Sequence, residues 1–473
     1  MTTTPSIAVI GGGLAGLAAA EAAGRHGLDV EIFEQAEWLG GRAGSFVEPF
    51  SGRLVDFSQH AAMGCCTNFL DFCRRAGVEN CFRRERSLSF IGPDNRLCRF
   101  APSRWLPAPL HLSSGLKKLN FLSSSERMAI GRAMMKLARD DSDQAAERET
   151  AFGRWLCEQN QSKNAVDHFW SVIVQGALAE TVENASLSAV KKVFVDGFLA
   201  SRSAGEMILP RMPLGEIFDG RVGNHLAERG VKLHRRRRVM WIEAGENSEL
   251  SIVLAEGETR TYDAIVLAVP WHQAEGLFPP ELLEELPELK NAQKLQPGGI
   301  TAVHLWFDRP LTELPHAVLV GKLSQWIFRC ASKGKGEGDN SDLAYYQVVI
   351  SAAHRLAVME KEAMLDRVLA ELAEAFPDFA SAKLLHSRVV QQPQAVFAML
   401  PGVEIYRPGQ KTSIDNLFLT GDWTATGWPS TMEGAVRSGY LATEALLESV
   451  GRPHKILVPD LPRGLVARKL LGK

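Results

Sequence analysis

Two glycine-bearing turns that could hold phosphate stand at opposite ends of this chain. The first, IAVIGGGLAGLAAAEAA, carries GxGxxG as Gly11, Gly13 and Gly16, between an apolar run and an alanine-rich, helix-forming stretch. In that setting Gly11 permits a tight turn, Gly13 lets backbone approach a pyrophosphate, and Gly16 lets helix and strand pack closely. The helix N-terminus then offers N–H groups and partial positive charge to phosphate. Glu34 ends the next alternating run, LDVEIFEQ, where a carboxylate can accept hydrogen bonds from an adenosine ribose. The second turn, LFLTGDWTATGWPSTMEGAV, sets Gly421 and Asp422 ahead of another helix, with Ser430 or Thr431 available as its cap.

The stretch EWLGGRAGSF adds Gly40 and Gly41, which free the backbone at a further turn, and Arg42, a fixed cationic fork suited to phosphate. Together GGGLAG, Glu34, LGGRAG and the late GDW turn resemble the superfamily of flavin-containing amine oxidases and phytoene desaturases. The resemblance implies FAD, bound extended. It assigns Gly11, Gly13, Gly16, Glu34, Gly41 and Arg42 to the adenosine and pyrophosphate half, and Val239 to a backbone contact with adenine. Gly421 and Asp422 take the second phosphate and ribityl chain, while Met432 and Glu433 sit at the flavin's pyrimidine edge. No metal is expected.

Longer stretches, among them DFSQHAAMGCCTNFLDFCRRAGV, VKKVFVDGFLASRSAGEMILPRMPL and GDWTATGWPSTMEGAVRSGYLA, are similar to the hydroxysqualene dehydroxylases of hopanoid pathways. One departure is Phe57-Ser58 within DFSQH, where the family pattern has Asn-Gly. This resemblance implies reductive removal of an allylic hydroxyl from hydroxysqualene to give squalene, with electrons from an external donor. Such chemistry needs an acid at the departing hydroxyl, and His60, Glu180, Glu206 and His304 are the candidates. His60 titrates near neutrality, and the apolar settings VQGALAETV and AGEMILP could keep Glu180 and Glu206 protonated. For each, a hydrogen-bonded structural role is the reading favoured over catalysis. Trp306, Phe307, Trp326 and Phe328 are candidates for an apolar tunnel or for plain core. Two other readings stand beside this one: an isoprenoid desaturase running in the opposite redox direction, and a flavin-binding scaffold without chemistry.

The elements that must position these groups read as an α/β fold, a Rossmann-like FAD-binding domain with a parallel sheet and an inserted α+β substrate domain. The cofactor domain is expected in three pieces, 1–85, 205–285 and 405–450, with the substrate domain in 86–204 and 286–404. Arg235 to Arg238 read as part of a strand with alternating faces, solvated or in contact with phosphate, rather than a nucleic-acid patch. KGKGEGDNSD, 333–342, reads as a surface loop.

At 473 residues the chain exceeds one hydrophobic core, and 45% hydrophobic with 23% charged residues suits a globular protein. A formal net charge of −2 argues against nucleic acid as a partner. Seven cysteines without repeated CxxC spacing, and no export segment, point to a reducing, cytoplasmic setting. The tail, 451–473, mixes Leu, Ile and Val with cations. It suits either peripheral contact with an anionic membrane or docking on the protein's own surface.

Overall fold

The structure is a computed structural model describing residues 4–139, 149–245, 249–330, 343–353 and 359–471. The expected loop at 333–342 lies outside the described residues. Strand β1 (Ser6–Ile10), helix α1 (Leu14–Arg25) and strand β2 (Asp29–Phe33) build the opening βαβ unit. Beyond it come α2 (Thr67–Arg75), β3 (Leu88–Ile91), β4 (Leu97–Phe100), α3 (Ser124–Arg139) and α4 (Ser171–Leu178). Strands β5 (Lys232–His234), β6 (Ala264–Leu267), β7 (Pro297–Phe307), β8 (His316–Leu319) and β9 (Trp326–Arg329) follow. The chain ends with β10 (Ala344–Ser351), β11 (Leu384–Phe397), β12 (Leu417–Leu419), α5 (Met432–Ser449) and α6 (Leu465–Leu471).

Two sheets organise the molecule. The first is fully parallel, in the order β5-β2-β1-β6-β12, so its strands come from sequence positions hundreds of residues apart. Its central strands are near-continuous apolar runs, as expected when both faces are covered. Helix α1 is alanine-rich because it is enclosed on all sides, between this sheet and α5. A Cβ on Gly439 would sit 2.5 Å from Ala15 O, so α5 crosses α1 at a distance only glycine permits. This is the Rossmann-like α/β arrangement, with dinucleotide turns at the carboxyl ends of the strands.

The second sheet runs β11-β7-β10-β9-β8-β3-β4, mostly antiparallel, and is built from the long strands between β6 and β12 together with the β3–β4 hairpin. One face packs a core of Val303, Leu305, Phe307, Val348 and Ile350 against the helix Lys361–Ala375. The other face turns towards the parallel-sheet domain.

One expectation changes here, and one of the two readings of the tail is met. Arg235 to Arg238 form a turn between β5 and the strand Val239–Ala244, with Arg236 at φ 56°, so they do not alternate on a strand. The Arg236 and Arg237 N–H groups donate to Ala36 O and Glu34 O, which holds that turn against the end of β2. Arg235 pairs with Asp219, Arg236 with Glu37 and Arg237 with Glu256 and Glu258, while Arg237 and Arg238 both border the cavity between the two sheets. The tail, through Leu471, docks on the protein's own surface. Glu444 accepts from the Ile456 and Leu457 N–H groups, Asp460 pairs with Lys192 and Arg437, and Ala467 and Leu471 are buried beside α3.

Candidate active site

The first turn is set by backbone geometry. Gly11 sits at φ +110°, donates to Phe33 O, and has no room for a side chain because Ala268 O lies 2.6 Å from where its Cβ would be. A Cβ on Gly16 would fall 2.0 Å from Gly11 O. Gly13 differs, since nothing lies within 4 Å of its missing Cβ, and it borders a cavity of about 890 Å³. Its carbonyl accepts from Leu17, leaving the first-turn N–H groups of α1 without intrahelical partners at the cavity wall. The Glu34 carboxylate accepts from Gly12 N–H and Ala36 N–H, both at 2.8 Å, and lines the same cavity. Each of its oxygens keeps a second lone pair for a hydroxyl.

At the far end Gly421 adopts φ +143°, and its N–H donates to Ser438 Oγ. Asp422 is buried, its carboxylate taken by Arg42 at 2.5 Å on one oxygen and by the Ser430 hydroxyl on the other. Thr431, not Ser430, caps α5 by accepting from Gly434 N–H. Met432 and Ala435 of that helix line the cavity with Gly421 and Asp422. Gly13, Glu34, Gly41, Arg42, Val239, Gly421, Asp422 and Met432 therefore share one cavity, whereas Gly16 supports it from behind.

Glu433 is the exception. Its carboxylate faces away from the cavity and accepts from Asn68 N–H, Asn68 Nδ2 and Phe69 N–H at the start of α2, with Arg437 at 3.1 Å. One residue along a helix is a rotation of about 100°, so Met432 and Glu433 cannot both face the same ligand. Glu433 is an internal cap of α2.

The cavity continues past Gly421 to a reach walled by Ala177 and Leu178 from α4 and Ile300, Val349 and Val396 from the second sheet. Ser351, Gln392, Gln59 and His60 are among the polar residues of the cavity wall, which also carries His272 and Gln273. His60 Nδ1 lies 2.8 Å from Ser58 O, so Nδ1 carries the hydrogen and Nε2 keeps its lone pair. Burial, with the nearby Arg42 charge, holds the imidazole below its ordinary pKa, and it is neutral at pH 7.

The other three candidate acids are elsewhere. His304 is fully buried, with Nδ1 2.8 Å from the Tyr345 hydroxyl, and burial lowers it to about 4. Glu206 is paired with Arg84 and Arg86. Glu180 is buried at the end of α4 and accepts from Thr181 N–H at 2.7 Å, one residue beyond the cavity wall. Trp306 and Phe328 border a second cavity on the same face of the sheet, and Phe307 is core. Trp326 packs against Gly176.

One organising residue carries no sequence signal. Arg407 is buried and donates to the carbonyls of Asp422, Thr424 and Trp428, so a single guanidinium shapes the loop after the second turn.

The sequence pattern of the flavin containing amine oxidoreductases matches residues 14–447. The chain belongs to this family. Among curated relatives, it is 26% identical to a 15-cis-phytoene desaturase of Solanum lycopersicum, over 95% of this chain and 80% of that one. It is 27% identical to a probable zeta-carotene desaturase of Synechococcus elongatus, over 94% of this chain and 98% of that one. Among solved structures it resembles cyclohexylamine oxidase from Brevibacterium oxydans at TM-score 0.69 and 19% identity, over 95% of this chain and all of that one. A putrescine oxidase matches at TM-score 0.67 and 16% identity, over 94% of this chain and 99% of that one.

The family's cofactor is FAD, and the cavity fits it. The open space at Gly13 accepts a pyrophosphate, Glu34 retains acceptor capacity at the ribose end, and two helix N-termini supply positive potential. This member of the family is thus an FAD-dependent oxidoreductase. Among its described residues no helix is long and apolar enough to cross a membrane.

Proposed function

We propose that the chain acts at an allylic carbon of a long, linear isoprenoid, in the oxidative, desaturating direction. FAD, when bound, supplies a two-electron acceptor or donor for hydride. The residues that would hold it are Gly13, Glu34, Gly41 and Arg42 at one end and Gly421, Asp422 and Met432 at the other, with Val239 beside them.

The observation that carries the reading is His60, an imidazole on the cavity wall that is neutral and keeps its Nε2 lone pair; His272, also on that wall, is likewise held below its ordinary pKa by burial and by Arg42. Desaturation removes a hydride from one carbon and a proton from the next, so it needs a base. Neutral His60 is that base. Ile300, Val349, Val396, Ala177 and Leu178 exclude water and orient the chain by contact, which suits a hydrocarbon. The named relatives act on phytoene and zeta-carotene, molecules of this class.

A second reading, reductive dehydroxylation of hydroxysqualene to squalene, is favoured by the motif resemblance of the segments 56–78, 190–214 and 421–442. It requires an acid where the cavity offers a neutral imidazole, so the proton would have to enter with water or with a change at His60.

Product analysis separates the two. Oxidised, FAD-loaded protein given phytoene or squalene in detergent is expected to form new conjugated double bonds, read by absorbance. Squalene from hydroxysqualene and reduced protein, without desaturation of any hydrocarbon, would replace the first reading with the second. Neither product from FAD-loaded protein would leave the flavin scaffold without chemistry.

A further inference from the structure

We propose that the loop 101–110, helix α3 and helix α6 together form a docking face for an anionic lipid bilayer. Trp105 is 92% exposed and Leu465 80%, and Leu106, Leu110 and Met128 are also exposed. A soluble surface seldom leaves side chains of that size uncovered in one region.

These residues share a region because their elements share a core. Ala108 and Leu112 of the loop segment, Ala138 of α3, and Ala467 and Leu471 of α6 pack in one buried cluster with Val195 and Leu199. Arg139 of α3 donates to Leu470 O at 2.6 Å, Gly464 N–H donates to Ala200 O, and Arg202 donates to Arg104 O. The exposed apolar groups are therefore mounted on a rigid base.

Charge selects the occupant. Segments 100–139 and 463–471 carry ten Lys and Arg against one acid, Glu126, in a chain whose net charge is −2. On α3, Arg132, Lys136 and Arg139 are exposed and spaced along one helical face. The acids Asp140, Asp141 and Asp143 that follow in the chain lie outside the described residues. An exposed Trp flanked by Leu and Pro, ringed by cations, matches the interface of a bilayer with anionic headgroups. The ring and aliphatic tips enter the acyl boundary while the cations stay at the phosphates. A neutral protein partner would not need the cations, and a soluble polyanion would not need Trp105 and Leu465.

The inference does not depend on which isoprenoid reacts, and its test contains none. Full-length, FAD-loaded protein is mixed with vesicles of phosphatidylcholine, with or without phosphatidylglycerol, and floated through a density gradient. Flotation is expected only with phosphatidylglycerol and is expected to fall as salt rises. The double variant Trp105→Ser, Leu465→Ser should partition roughly tenfold less or weaker, with its flavin retained. The pair Arg132→Glu, Lys136→Glu should lose the preference for anionic vesicles, and Ile405→Ser, an exposed apolar residue elsewhere, should float as the parent does. Parent protein left at the bottom of the gradient would overturn the proposal, as would loop variants floating like the parent. Sedimentation showing a dimer that Leu465→Ser dissociates, without vesicle binding, would assign the face to a second copy instead.

Discussion

Arg42 Nη2 lies 2.5 Å from Asp422 Oδ1, joining two turns 380 residues apart, while Nη1 of the same guanidinium donates to Ala395 O at 2.7 Å. One side chain thus ties the early glycine turn, the late Gly-Asp turn and the end of β11 into a single wall. Arg42→Ala removes a charge-assisted pair and leaves Asp422 buried with only Ser430 as a side-chain partner. Loss of such bonds costs about 1.5–3 kcal/mol each. FAD affinity, measured by titration of the apoprotein, is expected to fall roughly ten- to a hundredfold.

The three early glycines should fail in different ways. A Cβ at Gly16 collides with Gly11 O, so Gly16→Ala distorts the βαβ unit itself and is expected to reduce soluble, folded protein. A Cβ at Gly13 meets no protein atom within 4 Å and projects at the cavity wall instead. Gly13→Ala should therefore keep its circular dichroism and lose flavin, as read by absorbance after gel filtration.

Glu433 tests whether a residue beside the cavity serves stability or chemistry. It accepts from two N–H groups at the start of α2 and pairs with buried Arg437. Glu433→Ala leaves these partners unsatisfied in the interior, at a cost of about 3–5 kcal/mol. Urea unfolding should register that loss, while any folded fraction should retain FAD with near-parent affinity.

Asp56 gives the chain a pH-sensitive stability term. Burial raises its carboxyl to about 7 despite hydrogen bonds from Ser45 Oγ and Leu214 N–H. In the unfolded chain it ionises near 4, so between about pH 4 and 7 the folded state holds a proton that the unfolded state has released. Its contribution is accordingly greatest at low pH and is lost as pH rises towards 7. Asp56→Asn, which keeps an acceptor for both donors, should flatten stability between pH 5 and 8 and gain most over the parent at pH 8. Chemical denaturation at several pH values measures this.

What could be read before folding was local. The glycine spacing around Gly11, the acid at Glu34 and the Gly421-Asp422 turn each declare themselves within a strand, a turn and a helix, and they meet in one cavity. What failed depended on direction or on distant partners. Met432 and Glu433 are neighbours in sequence, yet helical rotation sends one to the cavity and the other to α2. Glu206 stands in an apolar stretch, but Arg84, 122 residues earlier in the chain, and Arg86 reach it. Four consecutive arginines suggested a strand until Arg236 took a left-handed turn conformation. Arg407 left no trace at all, because its role consists of carbonyls that only the folded loop presents.

Neutral His60 is proposed as the base for allylic oxidation at the cofactor site. The most direct measurement is anaerobic single turnover of oxidised, FAD-loaded protein with phytoene, followed by loss of flavin colour between pH 5 and 9. Bleaching is expected in step with new double bonds. The rate should be level above the ordinary histidine range and fall only below about pH 6.5, as Nε2 becomes protonated, with that acid limb absent in His60→Asn. A flavin that stays oxidised with phytoene at every pH, in protein that releases squalene from hydroxysqualene once reduced, would contradict it.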